Sequence, residues 1–331
     1  MSTFAAVVLF TGVVAYAVLG GADYGAGFWD LTAGGAKRGR APRHLIDMVL
    51  APVWEANHVW LIFCLVMLWT GFPAAFAAIT TTLYVPLGLA ALGVVIRGCG
   101  FAFRKAFTAT EHQRAAGAAF AFSSVLTPFF LGTVAGGIAS GRVPSAGGGD
   151  PLYSWLNPTS LLGGVLAVLV CAFVAAVFLT AEARRRGYHG LRRYFARRAR
   201  IGALAAGVVA VAGIGVLHAD APHLTHGLLT RGLPLMIISA ACGLGSLTLL
   251  RHAPPRVAQA AAVGAAATVV AGWGVAQYPY LLGNHLTIAE AAAPAPTLLA
   301  LTVVAAAALI LVVPSLALLY ALHQTGDLGG T

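Results

Sequence analysis

TFAAVVLFTGVVAYAVLGGADYGA, from Thr3 to Ala26, decides the fold. Its only charged residue is Asp23, and the rest of the run is apolar, small or weakly polar. About 20 apolar residues in a helix cross a hydrocarbon core of about 30 Å, so this run is long enough to span. The pattern is continuous rather than alternating, which argues against barrel strands. A lipid-facing backbone must also satisfy its own polar groups, so the run reads as a helix.

Eight more runs follow at 48–71, 75–97, 115–139, 159–181, 201–218, 232–250, 257–278 and 297–321. The expected fold is all-α, a polytopic membrane protein of nine transmembrane helices. Composition agrees: of 331 residues 59% are hydrophobic and 9% charged, against about a quarter charged in a soluble domain. A soluble enzyme is thereby excluded. The longest connections, 140–158, 182–200 and 279–296, are too short for a soluble domain, so residues 1–331 read as one membrane domain.

The formal net charge of +10 would suggest nucleic acid in a soluble protein. Here the cations trace topology instead. Lys37, Arg38, Arg40 and Arg43 follow the first span, and Arg97, Arg104, Lys105 and Arg114 lie between the third and fourth. Arg184, Arg185, Arg186, Arg192, Arg193, Arg197, Arg198 and Arg200 follow the fifth, and Arg251 and Arg256 the seventh. Only Arg142 and Arg231 fall on the other side. The positive-inside rule makes the crowded side cytoplasmic, with the N-terminus outside and the C-terminus inside. The polybasic 182–200 segment is also compatible with contact to anionic lipid. No basic stretch precedes the first span, so Ala15-Tyr16-Ala17 does not read as a cleavage site and the first helix is expected to be retained.

Charge inside a membrane is costly, so intramembrane acids are functional candidates. Among ten acids, Asp23, Asp30, Asp47 and Glu55 stand out. GGADYGAGFWD, Gly20–Asp30, reads as a helix-packing or cofactor-approach motif for its glycines, but packing does not require the carboxylate of Asp23. PVWEANHVW, Pro52–Trp60, sets Glu55 and His58 three apart on one helix face, with Asn57 beside them. Arg97 closes the third run, so Asp23, Glu55 and Arg97 are expected at similar depth. Two acids sharing one arginine leave one able to exchange a proton. The spacing supports a proton-entry route and a structural ion-pair network alike.

The remaining candidates carry less. His58 reads as core rather than as a haem or metal ligand. His218, His223 and His226 in HADAPHLTH read as a solvated loop interrupted by Pro222. Cys64, Cys99, Cys171 and Cys242 show no metal or disulfide spacing. GWGVAQYPYLL, Gly272–Leu282, supplies Trp273, Gln277 and Tyr278, readable as an interfacial belt and turn or as a quinone lining. No nucleotide-binding or hydrolase motif is present, so no catalytic residue and no metal site is assigned to this chain.

Taken together, GGADYGAGFWDL, PVWEANHVWLIF, WGVAQYPYLL and LTIAEAAAP make the sequence resemble subunit II of cytochrome bd quinol oxidases, including the cyanide-insensitive branch. The resemblance covers essentially the whole chain. It implies two four-helix bundles plus one extra helix, in a bacterial cytoplasmic membrane. It implies an enzyme complex that oxidises quinol and reduces dioxygen to water, with protons drawn from the cytoplasm. Haem b and haem d of the complex are expected in the haem-bearing subunit I, and a structural quinone is compatible with this chain. The implied partners are subunit I, quinol, lipid and a small single-helix accessory subunit. Carried over by residue, the family's acidic positions fall on Asp23 and Glu55 and its basic position on Arg97, linked there to haem stability and proton access. Some members have Asp where this chain has Glu55. The alternatives are a proton-coupled secondary transporter, for which paired broken helices are lacking, and a purely structural assembly partner.

Overall fold

A computed structural model describes residues 1–35, 37–50, 54–107, 110–252 and 254–325. The long helices are α1 (Ser2–Leu31), α3 (Trp54–Gly71), α5 (Tyr84–Ala106), α6 (Thr110–Ala139), α7 (Pro158–Arg185), α8 (His189–Asp220), α10 (Leu233–His252), α11 (Pro255–Gln277) and α13 (Ala295–Thr325). Shorter elements connect them: α2 (Arg40–Leu50), α4 (Pro73–Thr82), α9 (Pro222–Thr230), the strands β1 (Tyr280–Leu282) and β2 (Leu286–Thr287), and α12 (Ile288–Ala291). Among the described residues, eight helices are long and apolar enough to span. The α3–α4 pair, bent by 115°, supplies a ninth candidate. The chain is a multi-pass, all-α membrane protein.

The contacts sort the long helices into α1, α3, α5 and α6, then α7, α8, α10 and α11, with α13 against α3 and α1. α7 joins the two groups by packing on α1 and α6. Close approach is possible because Gly25 faces the α7 backbone: a β-carbon there would overlap the Cys171 carbonyl. Trp29 fixes the same seam by donating its indole N–H to the Ala172 carbonyl at 2.7 Å. One apolar cluster, with Trp29, Leu45, Phe101, Phe120 and Phe195, fills the basic end. A second, with Leu9, Met67, Phe72, Leu83 and Leu282, fills the opposite end.

Several expected boundaries are corrected. The run 75–97 is not one span, because α4 ends at Thr82 and α5 begins at Tyr84. Pro73 opens α4 and Pro86 sits in the first turn of α5, positions where a missing N–H costs nothing. α5 therefore runs on to Ala106 and Arg97 lies in its interior rather than at its end. The arginine-rich 182–200 segment is mostly helix, interrupted only around Gly187, which adopts φ +72°. Arginine is a good helix former, and α8 extends the expected 201–218 span back to His189. His223 and His226 lie on α9, where Pro222 takes the first helical position instead of breaking the geometry. The 279–296 connection folds into the β1–β2 hairpin and α12, closed by a reciprocal cap between Thr287 and Glu290.

Candidate functional site

α1, α3, α5 and α6 enclose a buried polar cluster. Asp23 is 5% exposed, Asn57 1% and Arg97 1%. Asn57 Nδ2 donates to Asp23 Oδ2 at 2.6 Å and to the Leu19 carbonyl at 3.3 Å. Arg97 donates from Nε to the Ser124 hydroxyl at 3.1 Å. Its guanidinium lies 4.7 Å from the Tyr24 ring centre and 5.2 Å from that of Phe120. Neither Nη1 nor Nη2 finds a hydrogen-bond acceptor among the described residues. The Arg97 charge acts on Asp23 electrostatically, yet the two form no ion pair among those described. A guanidinium between two aromatic faces keeps its charge at lower cost than one in hydrocarbon.

His58 sits edge-on to Tyr16 and Tyr24, each ring centre 6.3 Å away. The two tyrosine hydroxyls are 2.9 Å apart. The structure thus brings together four expected residues, Asp23, Asn57, His58 and Arg97. Glu55 belongs to the first turn of α3 by its backbone, but its side chain lies outside the described residues. Tyr16, Tyr24 and Ser124 were not singled out from the sequence. Their signal was present: Tyr16 lies seven residues before Asp23 on the same helical face, and Ser124 interrupts an apolar run.

A second acid on α1 is treated differently. Asp30 receives Arg43 Nε at 2.7 Å and Arg104 Nη1 at 2.6 Å. Arg104 also reaches Asp47 at 3.3 Å, so α1, α2 and α5 are clipped together at the basic end. At the opposite end Arg142 pairs with Asp220, which also accepts from the Thr159 hydroxyl at 2.6 Å. Arg231 donates to the Tyr278 carbonyl at 2.6 Å. The two cations that depart from the charge asymmetry therefore both hold the fold.

The Trp273, Gln277 and Tyr278 group does not converge. Trp273 packs on Phe10, with ring centres 5.3 Å apart, and Tyr278 is 47% exposed. Gln277 is 3% exposed, and neither its Nε2 nor its Oε1 has a partner among the described residues. Among those residues no three His, Cys, Asp or Glu side chains converge as a metal site.

A polytopic helical membrane protein with a buried acid–amide–arginine cluster is the class these features define. Residues 1–323 match the cytochrome bd terminal oxidase subunit II family, and the chain belongs to that family. It is 27% identical over 175 residues to the cytochrome bd ubiquinol oxidase subunit 2 of Bacillus subtilis, covering 52% of this chain and 50% of that protein. It is 26% identical over 176 residues to the cytochrome bd-I ubiquinol oxidase subunit 2 of Escherichia coli K12, covering 50% of this chain and 45% of that protein. The chain thus aligns with about half the length of these curated relatives. The fold is similar to a chain of the bd oxidase from Geobacillus thermodenitrificans, with a TM-score of 0.78 and 27% identity over 97% of this chain and 98% of that one.

Proposed function

We propose that the chain is a non-catalytic but required subunit of a membrane quinol:oxygen oxidoreductase that reduces dioxygen to water in aerobic respiration. It stabilises a haem-bearing partner, subunit I, and carries part of a cytoplasmic proton path. One observation carries the second role: a buried carboxylate, Asp23, held by a single described side-chain donor, Asn57, with the Arg97 cation nearby but outside ion-pair contact. Family membership and the names of the relatives support the first role.

The haems supply the redox chemistry, and we assign haem b and haem d to subunit I, as the resemblance to the family implies. This chain's residues handle protons. Glu55 lies two residues nearer the basic end than Asn57 on α3, so a proton entering there meets Glu55 first and the Asp23 carboxylate next. Arg97 offsets the negative charge of that carboxylate between proton transfers. The cytoplasmic assignment of the basic end, the outside N-terminus and the inside C-terminus rest on the distribution of cations. Quinol, lipid and a small accessory helix complete the expected partners. For Trp273 and Tyr278 the contacts support packing. Among the described residues Gln277 keeps an unpartnered Nε2 that could donate to a quinone carbonyl and an unpartnered Oε1 that could accept from a water.

Co-purification followed by a reduced-minus-oxidised spectrum tests the assignment. A haem-bearing partner with a haem d band is expected, and its absence overturns the proposal. In the same preparation Glu55→Gln is expected to slow turnover. Normal turnover with normal haem content removes Glu55 from the path.

A further inference from the structure

The cation-rich start of α8 is more ordered than a topology signal needs to be. The positive-inside rule asks only that arginines lie on one side of the membrane. In α8 four of them also share a face. At about 100° per residue, Arg192, Arg200, Arg193 and Arg197 fall within an arc of about 140°. They line a groove of about 580 Å³ whose apolar side is built by Leu247 and Leu250 of α10. Arg198, by contrast, turns inward, its guanidinium 3.4 Å from the Tyr194 ring centre and 5.6 Å from that of Trp29.

The four groove arginines make no ion pair with a carboxylate among the described residues. Their neighbours Arg185 and Arg186 do, both with Glu182. Four guanidiniums facing one groove repel one another, and an anion bound between them offsets that repulsion. Position narrows the choice of anion. α8 has 32 residues and extends about 48 Å, well beyond a hydrocarbon core of about 30 Å. The apolar run begins directly after Arg200, so the arginine turns stand at headgroup depth. Leu250 is buried at the floor, and Leu247 is partly buried beside it. A ligand that suits this groove carries phosphate oxygens at one end and hydrocarbon at the other. Arginine recognises phosphate through paired N–H donors, and free phosphate would leave the leucines uncovered.

We propose that the groove between α8 and the end of α10 binds one anionic phospholipid, its phosphate on Arg192, Arg193, Arg197 and Arg200 and its acyl chain along Leu247 and Leu250. The site is separate from the Asp23 cluster and does not rest on the proton-path reading. Native mass spectrometry of the purified complex, titrated with dioleoylphosphatidylglycerol, dioleoylphosphatidylcholine or inorganic phosphate, tests it. Phosphatidylglycerol is expected to be retained in preference to phosphatidylcholine and not to be displaced by inorganic phosphate. Each basic residue at an anionic membrane surface contributes about a factor of five. Arg193→Gln with Arg197→Gln is thus expected to weaken retention roughly 25-fold. Both side chains are exposed, so the fold should tolerate the change. Lys37→Gln with Arg38→Gln removes the same charge from the same end at exposed positions outside the groove and is expected to leave retention intact. Equal retention of the two lipids, equal loss in the two double variants, or displacement by inorganic phosphate would each overturn the proposal.

Discussion

Asp23 and Asp30 lie two turns apart on one side of α1, 5% and 3% exposed, and they are compensated in opposite ways. Asp30 is gripped by two arginines from α2 and α5, each within 2.7 Å. Among the described residues Asp23 has one side-chain amide, and the nearby Arg97 has two terminal nitrogens without acceptors. A doubly paired carboxylate is a clip. A carboxylate with one side-chain donor, beside a guanidinium whose terminal nitrogens find no acceptor among the described residues, is freer to change partners, as the proposed proton path requires. Near-equal burial on the same helix thus goes with two different environments, separated by who answers the charge.

The largest effect that would break this contrast is structural. Asp30→Ala leaves Arg43 without its carboxylate and Arg104 with Asp47 alone, and breaking a buried pair costs about 3 kcal/mol or more. Thermal unfolding of the complex should show that loss, while turnover per assembled complex stays near normal. A stability unchanged by this variant would end the description of Asp30 as a clip. Asp23→Asn should invert the pattern, with stability within about 1 kcal/mol and turnover lower by on the order of a hundredfold, as for loss of a positioned proton-transfer group. Stopped-flow oxygen consumption measures it; full turnover would make Asp23 structural like its neighbour.

Gly25→Ala sharpens the comparison because it strikes between the two acids. It forces α1 away from the Cys171 carbonyl, and overpacking of this kind costs about 2 kcal/mol. Both stability and turnover should fall, where each acid variant moves chiefly one. Thr287→Ala is the smallest and most distant change, removing a helix cap worth about 1 kcal/mol and touching neither acid. The Thr287 backbone N–H and hydroxyl hold the Glu290 carboxyl below its usual range. A lowered carboxylate supports the fold above its ordinary pKa and loses that support as pH falls through the lowered value. Acidification should therefore speed hydrogen exchange in the β1–β2 hairpin and α12, and Thr287→Ala should move that onset to higher pH. An onset unmoved by the substitution would show that Thr287 does not set the Glu290 titration.

Much of the fold was legible because the bilayer imposes a length on each apolar run. Runs near 3–26, 115–139 and 159–181 are matched by α1, α6 and α7, whose ends extend further in places. What failed was hydropathy at turns. Residues 73–82 are as apolar as a span, and only Pro73 and Pro86 betray that the chain bends twice there. Polar helices were also hidden, since the arginines of α8 look like a loop to any scale that measures only apolarity. In the site, Asp23, Asn57, His58 and Arg97 stood out because polar groups are rare inside membranes. Tyr16, Tyr24 and Ser124 did not, since each is tolerable in a span and gains meaning only from cross-helix contact. The clip around Asp30 joins residues 13 and 74 positions away, a pairing that spacing along one helix does not reveal.

The bond from Trp29 to Ala172 has a consequence in time. Its partners are 143 residues apart, and at synthesis rates of about 5–20 residues per second the second follows the first by roughly 7–29 s. Throughout that interval α1 stands in the membrane without α7, its glycine face bare and its two acids short of their final surroundings. The helix that begins the chain is among those that must wait for its neighbour. A membrane chaperone, or the partner subunit arriving early, would have its longest opportunity to act on α1.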